Sequence, residues 1–114
     1  MEEIKLTKNA AYLLTAIHKS YKKRKKAGES KLNAVIFGSP SDIREEIRSK
    51  RSLEDIEDAC WELYDAKLLD GIPAENSLEM LALSNTGIVY EENRSAGVLK
   101  RILGIIKELL PFIS

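Results

Sequence analysis

The sequence predicts an α+β domain, with helices at both ends and a short strand and a β-hairpin between them. Three observations predict it. Ser39 and Ser52 each begin a Ser-x-x-Asp box, the local signature of a helix start. Apolar residues near both termini recur at about 3.6-residue spacing. Two β-forming runs, Val35–Phe37 and Leu78–Leu83, are bounded by turn-forming residues. At 114 residues and 44% hydrophobic, the chain suits one domain with a filled core.

Thr7 or Asn9 can cap a first helix that runs to about Lys26, ahead of Ala27-Gly28. Ala10, Leu13, Leu14, Ile17 and Tyr21 form its apolar stripe. Val35, Ile36 and Phe37 read as a brief strand ended by Gly38. Ser39, Pro40 and Asp42 open a second helix with Ile43 and Ile47 one turn apart, ending near residues 48–50. Ser52 opens the third after a turn of about three residues, Lys50 to Ser52. Ile56, Ala59, Cys60, Leu63 and Tyr64 make its apolar stripe, and Lys67 closes it. Two helices joined so closely are a helix-turn-helix signal.

The hairpin follows, with Leu69–Pro73 extended and a turn at Ala74–Ser77. In the return strand Leu78, Met80 and Ala82 fall on one side, Glu79 and Leu81 on the other. Residues 84–94 read as a short helical turn after a Ser84 cap. A separate amphipathic helix follows over residues 95–113. The division expected is 1–93 for the main domain and 94–114 for the terminal helix.

Eighteen basic and eighteen acidic residues cancel, but their distribution is uneven. Residues 1–27 carry +6 and residues 52–93 carry −10, so the folded molecule is expected to be polarised. One cysteine rules out an internal disulfide. The N-terminus lacks an apolar signal core, and no apolar run reaches the roughly 20 residues of a membrane span. A cytoplasmic protein is the expectation.

The order of helix, strand, helix, turn, helix, hairpin and terminal helix resembles the winged helix-turn-helix superfamily over about residues 7–93. The local match is LYDAKLLDG followed by LALSNTGIVYEEN, with Leu83, Ser84, Gly87 and Tyr90 at the end-of-wing positions. Lys67 and Leu68 depart from that pattern, standing where a glycine often follows the third helix. Residues 83–113 resemble, more narrowly, the YjcQ-like small proteins of bacteria and phages. The superfamily resemblance implies a DNA-associated regulatory protein.

The residues on the third helix oppose the usual geometry of such a protein. Glu54, Asp55, Glu57, Asp58, Glu62 and Asp65 face a single Lys67, whereas duplex affinity comes from neutralising phosphates. Phosphate contacts are therefore expected from the end of the first helix, at Lys22, Lys23, Arg24, Lys25 and Lys26. The second helix and its turn add Arg44, Arg48, Lys50 and Arg51, with the wing tip near Glu75–Ser77. Binding of that kind is weak and sequence-independent. The bland alternative is a solvated basic face at a helix end, where positive charge favours the helix dipole. A further alternative is head-to-tail association, basic end to acidic end, between copies or with a partner protein.

The alternative function is a protein-interaction module that does not bind DNA. Its surface would be Glu54, Glu57, Asp58, Glu62 and Asp65 with Trp61. Trp61 also fits a second packing contact under the wing or terminal helix, or an interface anchor. His18 is expected as a partly exposed surface residue, and Cys60 as a small buried hydrophobe. No Cys/His cluster, phosphate-cradling glycine loop or framed nucleophile is present, so neither a metal, a cofactor nor enzyme activity is expected. In the terminal helix Val98, Leu99, Ile102, Ile105, Ile106, Leu109 and Leu110 form a broad apolar face. It suits packing within the chain or, by preference, a homodimer.

Overall fold

A computed structural model describes residues 4–109, with side chains described as far as Gly97 and at Leu103. Five helices and three strands follow in order: α1 Lys8–Lys26, α2 Lys31–Val35, β1 Ile36–Gly38, α3 Pro40–Glu46, α4 Leu53–Asp65, β2 Leu69–Ala74, β3 Ser77–Leu83 and α5 Asn85–Leu109. The strands form one antiparallel sheet in the order β1-β3-β2.

The helix starts follow from their caps. The Thr7 hydroxyl accepts from the Ala10 amide, Ser39 and Asp42 complete a reciprocal box, and the Ser52 hydroxyl accepts from the Asp55 amide. The ends of α1, α3 and α4 share one device. The residue after the cap takes a left-handed φ: 96° at Gly28, 52° at Arg48 and 66° at Lys67. The next amide then reaches back to a carbonyl five residues earlier: Glu29 to Arg24, Ser49 to Arg44, Leu68 to Leu63. Lys67 thus makes the turn that glycine usually makes, and α4 still ends cleanly. At the end of α3 the same turn closes the helix at Glu46, so the connector to α4 spans residues 47–52 and is longer than the sequence predicts.

Leu13, Leu14 and Ile17 of α1 meet Ile43 of α3, Ile56, Ala59, Cys60 and Leu63 of α4, and Leu69, Leu78, Leu81 and Leu83 of the sheet. Burial of these aliphatics, worth about 1.5–3 kcal/mol per side chain before entropy, drives the fold.

Four expectations are corrected. Residues 31–35 form helix α2, because the Ser30 hydroxyl caps the Asn33 amide, so the strand begins only at Ile36. In β3 the strict alternation fails. The β2–β3 register shifts between Asp70 and Ile72, and Met80 takes φ 53°, inserting one extra residue. Leu78 and Leu81 consequently both point inward, while Met80 turns out and is 62% exposed. Residues 85–109 form one unbroken helix, with no boundary between a short turn and a separate terminal segment. Finally, His18 is buried at 6% exposure, stacked on Tyr21 with ring centroids 6.0 Å apart.

The LSxxGxxY run explains how α5 is attached. The Ser84 hydroxyl accepts from the Gly87 amide at 3.0 Å and donates to the Lys67 carbonyl at 2.7 Å. A Cβ on Gly87 would lie 2.2 Å from the Leu68 carbonyl oxygen, so only glycine admits this approach. Farther along, buried Glu91 accepts from Nε and Nη2 of Arg94, and the same Nη2 donates to the Thr15 hydroxyl of α1 at 2.8 Å.

Candidate nucleic-acid interface

The nine basic residues singled out in the sequence divide into two groups. Lys22, Lys23, Lys25 and Lys26 on the last turns of α1, with Arg48 and Lys50 in the α3–α4 connector, are exposed. Arg24, Arg44 and Arg51 are half-buried and grip the protein itself. One guanidinium nitrogen of Arg24 donates to the Ile36 carbonyl at 2.6 Å and to those of Asn33 and Ala34 at 3.3 Å. Its other terminal nitrogen pairs with Glu46, and the group lies 4.2 Å over the Phe37 ring. Arg44 donates to the Arg51 carbonyl at 2.7 Å. Arg51 donates to the Asn9 side-chain oxygen at 2.5 Å and stacks 3.9 Å over Tyr12. These three arginines hold α1, the strand approach and the α3–α4 connector in register.

Two of the exposed cations, Lys23 and Arg48, come together across a cleft of about 610 Å³ between α1 and the end of α3. Lys19 joins them there. Sequence reasoning missed it, although it lies four residues before Lys23 and therefore on the same helix face. Among the described residues the ion pairs are Arg24–Glu46 and Glu91–Arg94, and neither engages Lys19, Lys23 or Arg48.

The other side of the helix-turn-helix is negative. On α4, Glu54, Asp55, Asp58 and Asp65 are exposed, and Glu57 and Glu62 are half-buried. Glu62 is committed to the fold: its two oxygens accept from the Thr7 amide at 2.8 Å and the Thr7 hydroxyl at 2.7 Å, tying α4 to the start of α1. Trp61 is half-buried against the core and meets Tyr64 edge-on at 6.0 Å, an intramolecular contact. The wing, whose turn is Glu75-Asn76, exposes Asp70, Glu75 and Glu79. Lys67 is the sole basic residue from Ser52 to Leu83.

Cys60 lies within the core, where burial, reinforced by Glu57, pushes its thiol up to about 12. It is an inert hydrophobe at neutral pH. No group of three or more His, Cys, Asp or Glu side chains is placed to hold a metal ion among the described residues. No helix among them is long and apolar enough to cross a membrane. The side chains of Val98, Leu99, Ile102, Ile105, Ile106 and Leu109, and the whole of Leu110, lie outside the described residues.

The fold is similar to that of a point mutant of Lactococcus lactis ZitR, with a TM-score of 0.51 and 16% sequence identity. The match covers 100% of this chain, which spans 66% of the length of that one. This likeness shows the winged-helix fold. No protein-family model matches the sequence, and no curated protein matches it significantly.

Proposed function

We propose that the protein is a winged-helix regulatory protein of bacterial or phage type that associates with DNA through backbone phosphates. The observation that carries this reading is the group of exposed cations on the last turns of α1 and in the α3–α4 connector: Lys19, Lys23 and Arg48 meet at one cleft, and Lys22, Lys25, Lys26 and Lys50 are exposed on the same two segments. Arg24, Arg44 and Arg51 hold the segments that carry these cations. Helix α4 stays off the bases, since its carboxylates repel the duplex, so binding is largely independent of sequence.

The reading includes a homodimer through α5. Val89 and Leu103 are 53% and 50% exposed, Ala96 between them is exposed, and the three follow at seven-residue spacing. Such a seam suits a second copy of the same helix. Leu103→Glu is expected to convert the dimer to a monomer in sedimentation equilibrium.

The test of the DNA reading is binding of a generic labelled duplex at low and high salt. A variant with Lys22, Lys23, Lys25 and Lys26 changed to Glu accompanies it. Affinity that falls with salt, by about 0.9 log units per log unit of salt for each neutralised phosphate, and disappears in the variant supports the reading. No binding at low salt overturns it. The acidic surface of α4 and the wing favours a second reading, a module that binds a basic protein partner. Reversing Glu54, Asp58 and Asp65 to Lys would then abolish partner capture while leaving the fold intact.

A further inference from the structure

The cleft between α1 and the end of α3 combines features that the DNA reading does not use. Its floor is apolar, made by Ala16 and Ile47 with the edge of Tyr12. Lys19, Lys23 and Arg48 project around it. One wall is fixed: Glu46 is held by the Ser20 hydroxyl and by Arg24, and Arg24 is itself anchored to three backbone carbonyls. Four cations and two carboxylates line the cleft, leaving a net charge of +2. Arg48 is presented by a rigid turn, its amide bonded to the Glu45 carbonyl at 3.1 Å and that of Ser49 to the Arg44 carbonyl at 3.1 Å.

We propose that this cleft binds a small phosphate monoester with an apolar body. A phosphate dianion matches the net charge of the cleft. The Arg48 guanidinium suits two phosphate oxygens at once, and the two ammonium groups supply further donors. The Ala16–Ile47 floor buries the organic part, which separates such a ligand from inorganic phosphate. Because Lys19, Lys23 and Arg48 also belong to the proposed phosphate-gripping surface, an occupied cleft withdraws three cations from the duplex and weakens its binding.

The probe is phenyl phosphate, titrated calorimetrically into the full chain and compared with inorganic phosphate and phenol. Phenyl phosphate is expected to bind roughly tenfold more tightly than either. Arg48→Gly removes the guanidinium yet suits the left-handed backbone at that position, so it should lower phenyl phosphate affinity about tenfold without lowering the melting temperature. Ala16→Leu fills the floor while keeping every charge, and should abolish the preference over inorganic phosphate and leave duplex binding unchanged. Lys23→Gln repeats the charge test if Arg48→Gly fails to fold. Equal binding of phenyl and inorganic phosphate overturns the inference, as does phenol binding as tightly as the ester. All three titrations are run without DNA. A cleft that fails while the duplex binds removes this inference alone, and a cleft that binds while the duplex does not removes the DNA reading alone.

Discussion

The hydroxyl of Ser84 donates to the carbonyl of Lys67 across 2.7 Å, fastening the start of α5 to the exit of α4. The same oxygen accepts from the Gly87 amide, so one buried atom closes one helix and opens another. Ser84→Ala leaves the Gly87 donor and the Lys67 acceptor without this partner. The expected loss is about 1–3 kcal/mol, read from the midpoint of urea unfolding.

Gly87→Ala tests the neighbouring contact. A methyl group 2.2 Å from the Leu68 carbonyl oxygen forces α5 away from the α4 exit. The expected cost is about 2–3 kcal/mol by the same measurement. A cost below that of an ordinary surface substitution would show that α5 docks elsewhere.

Lys67→Gly is expected to stabilise the protein. Lysine at φ 66° carries a left-handed penalty of about 1–2 kcal/mol, partly offset by the greater freedom that glycine has in the unfolded chain. The net gain is about 0.5–1 kcal/mol, seen as a raised melting temperature in calorimetry.

Arg24 differs from its four neighbours in the basic run. Arg24→Ala removes bonds to three carbonyls and to Glu46, at an expected cost of about 2–3 kcal/mol. Arg24→Lys does not rescue it, because an ammonium lacks the planar fork. Lys25→Ala, at an exposed position, stays within about 0.5 kcal/mol of wild type.

His18 gives stability a pH dependence. Burial holds its pKa below the ordinary 6.5; Lys22 and Arg94 add to that, and the nearby Glu91 and Glu92 oppose it. On acidification through 6.5 the unfolded chain takes up the proton first. The contribution is therefore complete above 6.5 and is lost as the pH falls towards the lower, folded-state value. Denaturant midpoints between about pH 7.5 and 5.5 are expected to decline for wild type, and by less for His18→Gln.

The winged-helix order was legible because each major helix start carries a side-chain cap and each core face has a regular period. Ser39, Ser52 and the stripe Ile56–Leu63 are local signals that tertiary contacts reinforce. The bulge at Met80 was not legible, since a methionine at positive φ has no sequence signature and shifts every later side chain to the other face. The five-residue α2 is too short to show a helical period. The continuity of α5 was hidden by Gly97, which a helix tolerates at a cost of about 1 kcal/mol. For the site, the run Lys22–Lys26 was plain, but its division was not. Arg24 points inward because α2 and β1 bring their carbonyls beneath it, a relation between residues 9 to 12 positions apart and across two elements.

Helix α5 is a single rod of 25 residues, roughly 37 Å long, rooted at Ser84 beside the last turn of α4. Such a rod has no elbow at which a twist could dissipate. Rotation applied to its far end arrives as torque at two ties, Arg94–Thr15 and then the Lys67–Ser84 rivet, where it either turns α1 and the acidic helix with it or shears those hydrogen bonds.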